Sequence, residues 1–386
     1  MGICKTKDLY FTQIPVGIAC ISDDNKKMYV CAEYYNEIYE VDLLNNTTKS
    51  LGKILGENDD VQLFFEMIYY DNKIILIPRN AKNICIMDIK TKEQVLINKN
   101  KLVNNADSIG FITYINDNFL YLVYRMCLQV FRINMDTYTI ETIHNAYETE
   151  NVMLYFKDQN DDLMISYSAQ RKSIFIFEKY SNSIREFQIG LGIQTVNSIF
   201  IIENIIMVYS YIEGIIYLYD LYGELLEKWN LEQKNRKVCS VLRYNEQVYL
   251  VLNANKYIKI SNNKFEEIAY KQEFFHLNEY YSIIVQGTML KSFDPSTYGW
   301  APYKMKYFYL EPKIMQFKEI KLAFPMDQNI GEINCRIRKT FLNRPYILES
   351  EHFKNKVFME WLYNEESLRT EKVRDKIGNN IWNRVF

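Results

Sequence analysis

Residues 84–88 read Ile-Cys-Ile-Met-Asp, and this apolar run closed by a polar residue returns throughout the chain. Versions of it stand at 38–42, 128–132, 174–178, 216–220, 257–261 and 290–294. Each opens on an apolar residue and carries another just before its polar end: Val41, Met87, Phe131, Phe177, Tyr219, Ile260 and Phe293. The polar ends lie 46, 44, 46, 42, 41 and 33 residues apart. A period of about 45 residues, made of short apolar strands and polar turns, marks a β-propeller. The expected fold is therefore all-β, with seven blades, or six if the last repeat belongs to the C-terminal region.

The second repeat shows the grammar most clearly. Residues 64–70 form an apolar strand, Asp71-Asn72 the turn and 73–78 the second strand. A polar loop at 79–83 leads to a third strand at 84–89, and a turn at 90–92 to a fourth at 93–97. Asn and Asp suit such turns because they tolerate left-handed backbone angles and bond their own backbone. Asp24-Asn25, Asp117-Asn118, Asp161-Asp162 and Glu203-Asn204 stand at the matching places. The second strands, at 28–31, 119–123, 163–167, 205–209, 248–252 and 281–285, are near-continuous apolar runs, as strands sandwiched between neighbouring blades should be.

Blades are accordingly expected near 17–51, 64–97, 109–143, 152–188, 196–229, 238–269 and 274–294, within a propeller spanning 1–325. The seventh lacks an obvious fourth strand, and a ring cannot leave that edge open. Residues 8–13 (DLYFTQ) are the preferred donor, with 305–310 (MKYFYL) the competitor. The remainder, 326–386, is expected to be a helical extension. Phe353, Val357, Trp361 and Leu362 share a helical face, and Ile377, Ile381, Trp382 and Val385 form a second stripe. Such helices either pack on the propeller or dock a partner, and packing within the chain is the commoner use of an apolar face.

Composition narrows the class. Lys plus Arg number 46 against 48 for Asp plus Glu in 386 residues, so no basic excess points to nucleic acid or an anionic membrane. The seven cysteines form no Cys-x-x-Cys pair, which fits a reducing, cytoplasmic setting. Cys20, Cys31, Cys85 and Cys239 fall in expected strands, where a thiol acts as a small hydrophobe. Lys5, Lys7 and Asp8 interrupt any leader-like apolar core, and the apolar stretch 198–223 is broken by Glu203, Asn204, Glu213 and Asp220, so no membrane span is expected. Gly2 and Cys4 match a short N-terminal lipidation pattern of the kind that recurs by chance.

The repeat resembles the Kelch-type blade. Asn72-Lys73-Ile74 matches its second strand, and Ile84 to Asp88 its third. The Kelch double glycine is absent, with Pro78-Arg79 in its place, and neither a Trp-Asp nor a Gly-His signature of WD repeats is present. Blades of this type are similar to those of propeller proteins in low-GC Gram-positive bacteria. The resemblance implies a fold and no reaction.

Function is expected on the face formed by the loops between second and third strands, since rigid strands aim such loops at one place. Arg79, Arg125 and Arg171 occupy equivalent loop positions in three consecutive blades, where guanidiniums could converge on a carboxylate or phosphate or pair locally with acids. Tyr34, Tyr35 and Tyr211 could stack on sugar rings, anchor a protein, or cap their own strands. Glu33 and Glu213 are the acids of these loops and, with the tyrosines, the basis for a carbohydrate-active hydrolase or lyase, which needs paired carboxylates. His144, His276 and His352 lie near no nucleophile motif, and no zinc, calcium or phosphate-loop motif occurs, so no catalytic residue, metal or cofactor is expected. The expected role is a binding or scaffolding propeller for a protein or for an anionic or carbohydrate ligand.

Overall fold

Four strands in up-and-down order make each repeat, and six such antiparallel sheets follow one another along the chain before a seventh sheet of three described strands. The computed structural model describes residues 13–103, 111–126, 128–144, 152–190, 193, 196, 198–210, 212–231, 238–244, 247–252, 256–261, 264–269, 289–292, 306–311, 316–320 and 322–343. The first sheet holds Val16–Ile21, Lys27–Ala32, Ile38–Asp42 and Thr47–Gly52; the second holds Phe64–Tyr70, Lys73–Pro78, Asn83–Asp88 and Gln94–Asn98. The third is Phe111–Asn116, Phe119–Tyr124, Val130–Asn134 and Ile140–His144; the fourth is Leu154–Gln159, Leu163–Ser168, Ser173–Glu178 and Ser183–Gln188. Ser198–Ile202, Ile205–Ser210, Ile215–Tyr219 and Leu225–Asn230 make the fifth, and Val238–Tyr244, Gln247–Leu252, Lys256–Ser261 and Lys264–Ala269 the sixth. The chain is a β-propeller.

Local chemistry explains why the strands turn where they do. Asp71 and Asn72 both have positive φ, 44° and 57°, which is the tight hairpin turn whose twist matches the strands it joins. Asn25, Asp117 and Glu203 adopt the same left-handed geometry in other sheets. The polar residue that ends the repeated motif also has a local task. Asp42 Oδ1 accepts from the amides of Leu44 and Asn45, both at 2.9 Å, and Asp88 Oδ1 from those of Lys90 and Thr91, both at 2.8 Å. Asp220 Oδ1 does the same for Tyr222 and Glu224 at 2.9 and 2.8 Å. These amide donors hold the carboxyls of Asp42 and Asp88 below their ordinary pKa. In the third sheet the cap is Asn134, which accepts from Asp136 and Thr137. The motif there is therefore Val130–Asn134 rather than 128–132, because Leu128 takes a positive φ of 56° in the preceding loop.

Packing follows from the pleat. Ile74 and Leu76 enter a cluster with Ile18, Cys20, Tyr29 and Cys31 of the first sheet. Ile75 and Ile77, on the other face, join Phe111, Leu120 and Leu122 of the third. Equivalent clusters lie between the third and fourth, fourth and fifth, and fifth and sixth sheets. First strands of successive sheets approach one another, as those of the first and second and of the fourth and fifth do, whereas fourth strands such as Leu225–Asn230 are largely exposed. First strands therefore line the centre and fourth strands the rim. Cys20, Cys31 and Cys85 lie together in the seam between the first two sheets as free thiols. Burial pushes all three up, Cys31 and Cys85 to about 12, so they fill space as neutral groups.

The seventh sheet extends further along the chain than 294. Met289–Ser292 pairs with Lys306–Glu311, which pairs in turn with Gln316–Ile320. Past that last strand, the amide of Ile14 donates to Leu322 O at 2.8 Å and Gln13 bridges Ala323. The N-terminal segment thus meets the chain beyond the seventh sheet; residues 8–12 and 274–288 lie outside the described residues. A helix, Ile330–Asn343, follows. Asn329 caps it by accepting from the amides of Gly331 and Glu332, and Ile333, Asn334, Ile337 and Thr340 share its buried face. Two polar residues on that face, Asn334 and Thr340, bond back to carbonyls of the helix itself, which hides the apolar stripe from a sequence reading. The helical patterns read at 353–362 and 377–386 lie outside the described residues. No helix among the described residues is long and apolar enough to cross a membrane.

Burial on both faces sets an expectation for stability. Leu76→Ala, at a fully buried site, should lower unfolding free energy by about 2–5 kcal/mol. Leu226→Ala, on an exposed fourth strand, should change it by less than about 0.5 kcal/mol in the same urea titration.

Candidate functional site

The loops between second and third strands are tied to the segments that cross from one sheet to the next. Glu33 N donates to Pro15 O at 2.7 Å, and Gln62 N donates to Glu33 O at 2.6 Å. Asn36 accepts from the Ile54 amide at 2.9 Å and donates through its side chain to Ile54 O and Glu57 O. Glu57 in turn accepts from the amides of Lys82 and Asn83 in the next sheet's loop, each at 3.0 Å. Loops and crossings therefore form one hydrogen-bonded face, and the hairpin turns lie at the opposite ends of the strands.

Of the tyrosines expected on this face, the two described ones are not exposed. Tyr34 and Tyr35 are fully buried, as is Tyr39. Tyr35 and Tyr39 share a hydroxyl–hydroxyl hydrogen bond of 3.0 Å, and burial raises both phenols above their ordinary pKa. Arg336, from the C-terminal helix, covers the Tyr35 ring with its guanidinium 4.9 Å from the ring centre. The same guanidinium forks onto Asp59 at 2.8 and 2.9 Å, reaches Glu37 at 3.1 Å and donates to Asn36 O at 3.0 Å. Gln328, just before the helix, accepts from the Tyr39 hydroxyl at 3.0 Å. The helix is thus clasped to the first sheet's loop. Burial would raise the Asp59 carboxyl, but the bonds from Arg336 and the Asn36 amide outweigh it and hold the group low.

The two acids of the carbohydrate reading are also engaged. Glu33 is buried and accepts from the Gln62 side chain at 3.3 Å. Glu213 accepts from the Tyr217 hydroxyl at 3.0 Å. Tyr211 lies outside the described residues.

The three arginines part company. Arg171 is forked onto Glu186 within its own sheet, with both bonds at 2.9 Å. Arg79 is exposed on the second sheet's loop. Arg125, on the third sheet's loop, donates from Nε to Leu154 O at 2.6 Å while its own carbonyl accepts the Leu154 amide at 2.9 Å. This two-way bond holds the guanidinium across the boundary between the third and fourth sheets. Burial, and behind it the like charge of Arg79, lowers the Arg125 pKa against the opposing pull of Tyr155 and Glu66. Lys99 adds a third cation, its ammonium donating to Arg79 O at 3.1 Å.

A strand irregularity aims one aromatic ring at Arg125. The register of the fourth sheet's first strand shifts between Leu154 and Phe156, a bulge that turns Tyr155 outward, 47% exposed. The Arg125 guanidinium stands 5.9 Å from its ring centre. Sequence reading missed Tyr155 because a bulge breaks the alternation that would otherwise assign its side.

Below this patch a polar chain crosses three first strands. Glu66 is paired with Lys157 and accepts from Thr113 Oγ1 at 2.5 Å, while Lys157 also donates to Thr113 O at 2.7 Å. Asp158 continues it by accepting the Ile201 amide of the fifth sheet at 2.7 Å. The available signal was Glu66 and Lys157 standing inside otherwise apolar strands. Among the described residues, no three His, Cys, Asp or Glu side chains gather as they would around a metal ion.

No protein-family model matches the chain, and no curated protein matches it. Among solved structures it is similar to selenomethionine-substituted virginiamycin B lyase from Staphylococcus aureus, at 15% identity and a TM-score of 0.53 over 73% of this chain and 93% of that one. It is similar to YCF48 bound to D1 peptide at 8% identity and a TM-score of 0.54, over 82% and 96% of the two chains. The WD40 repeats of RRP9 match at 11% identity and a TM-score of 0.50, over 67% and 80%. At these identities the likeness is one of fold, and the fold is the β-propeller.

Breaking the clasp should be costly, because it leaves Glu37 and Asp59 without their counter-charge. Arg336→Met should lower unfolding free energy by about 3 kcal/mol, measured by urea titration near neutral pH. The Asp59 carboxyl is held below its unfolded value of about 4, so its contribution is complete above that pH. It should fade as pH falls through the lower folded pKa, and the gap between wild type and Arg336→Met should narrow there.

Proposed function

We propose that this chain is a binding and scaffolding propeller that engages a protein partner on the face carrying the loops between second and third strands. The observation that carries the reading is Arg125, fixed in place by Leu154 and presented beside the outward-turned ring of Tyr155, with the exposed Arg79 at the matching place of the neighbouring sheet. Guanidinium and aromatic groups on a rigid frame are the usual anchors of protein recognition. They lose little conformational freedom on binding when already held. That a propeller of similar fold, YCF48, is bound to D1 peptide supports a protein partner.

A carbohydrate-active hydrolase or lyase at the channel mouth is the alternative. It draws on the similar fold of virginiamycin B lyase, but Glu33 is buried against Gln62 and Glu213 serves Tyr217, which leaves it the weaker support.

A photo-crosslinking residue placed at Lys82 or Gln170, both exposed, samples the loop face, and one at Asn45 or Thr91 samples the opposite face. In cells, the loop-face positions should yield a discrete cross-linked protein. Products arising instead from Asn45 and Thr91, or from none of the four, would overturn the reading.

A further inference from the structure

The cationic patch between the second, third and fourth sheets has a chemistry more specific than a general contact surface. The chain as a whole carries a formal charge of −2, yet Arg79 and Arg125 stand at matching places in the loops of two packed sheets, and the Lys99 ammonium is bonded to the Arg79 carbonyl. Among the described residues, no carboxylate forms an ion pair with Arg79 or Arg125, in contrast to Arg171, which is forked onto Glu186, and Arg336, which is forked onto Asp59. Like charges on neighbouring loops favour an anion that lies between them.

Geometry fixes which anion edge is on offer. Arg125 spends Nε on Leu154 O, and the reciprocal Leu154 amide bond holds the loop that carries it. The end of the guanidinium bearing its two terminal nitrogens is the edge that pairs side-on with two oxygens of one group. Tyr155 lies against the guanidinium and keeps it from swinging away, and its exposed ring offers a flat surface for the carrier of the anion. Arg79 belongs to the loop of the adjoining second sheet, and Lys99 to the crossing that leaves that sheet.

Resting on the loop-face reading above, we infer that Arg79, Lys99, Arg125 and Tyr155 form an oxyanion-binding site for a peptide segment bearing clustered carboxylates or a phosphorylated side chain. Arg125 holds the oxyanion by its two-nitrogen edge, Arg79 and Lys99 complete the charge, and Tyr155 packs against the segment. The flanking Glu66 does not compete for the anion position, being engaged with Lys157 and Thr113.

Fluorescence polarisation of the full chain with labelled hexaglutamate, a phosphoserine peptide of the same length and hexaglutamine tests the site directly. One of the anionic probes should bind at least about tenfold more tightly than hexaglutamine, and its binding should weaken as salt is raised. Preference for hexaglutamate assigns a carboxylate ligand, and preference for the phosphoserine peptide a phosphate; either supports the site. Arg79→Glu, a change at an exposed side chain, should abolish that preference, and Arg125→Gln should weaken it with the thermal melting transition retained. Lys228→Glu makes the same charge change on the fifth sheet's rim, where the ammonium lies 5.4 Å from the Tyr217 ring centre, and should leave binding intact. Equal binding of all three probes, or equal loss in Arg79→Glu and Lys228→Glu, would overturn the inference. Cross-linking from the loop face would be unaffected by that failure, so the two readings stand or fall separately.

Discussion

The second strands of the first five sheets are buried on both faces, and this one constraint organises the molecule. Ile74 and Leu76 belong to the seam with the first sheet, Ile75 and Ile77 to the seam with the third. A lone sheet of this kind would expose one apolar face to water whichever way it turned. Burial at roughly 25 cal/mol per Å² of apolar surface therefore stabilises the sheets only as neighbours. The same logic places polar residues where the pleat ends: at the caps Asp42, Asp88, Asn134 and Asp220, and at the exposed fourth strands.

Because the sheets are locked face to face, their loops become fixtures. The crossing from the first sheet to the second is bonded to both sheets' loops through Asn36 and Glu57. Rigid loops can hold a guanidinium in one orientation, as Arg125 is held by Leu154, and can hold a helix, as Arg336 is held by Asp59 and Glu37. These two arginines are used in opposite ways. Arg336 is consumed in joining the C-terminal helix to the first sheet, where it covers Tyr35. Arg125 is supported from behind and leaves an edge and an aromatic neighbour facing outward.

Much of this architecture could be read from residues alone. The repeat at 84–88, its turn residues and its apolar second strands specify short strands, tight turns and two-sided burial, which are local or nearest-neighbour properties. The slip of two residues in the third repeat has a local cause as well, since Leu128 is apolar like a strand residue but lies in a left-handed loop. The helix at Ile330–Asn343 falls within the expected helical extension, but no apolar stripe marked its place, because Asn334 and Thr340 satisfy their own polar groups on its buried face and burial there does not require an apolar side chain.

The candidate site divides along the same line. That Arg79, Arg125 and Arg171 stand at matching loop positions is a property of the repeat and is visible without a structure. Which of them has its charge spent is a property of partners brought from elsewhere: Glu186 for Arg171, Leu154 and Tyr155 for Arg125, and Lys99 beside Arg79. Tyr34 and Tyr35 look like surface anchors in the chain and become core, partly because a helix some 300 residues away lays Arg336 over Tyr35. Sequence alone determined the ring, since its repeat encodes contacts between adjacent strands. Only the tertiary structure decided which side chains face outward, because that depends on burial and pairing between segments that no repeat brings together.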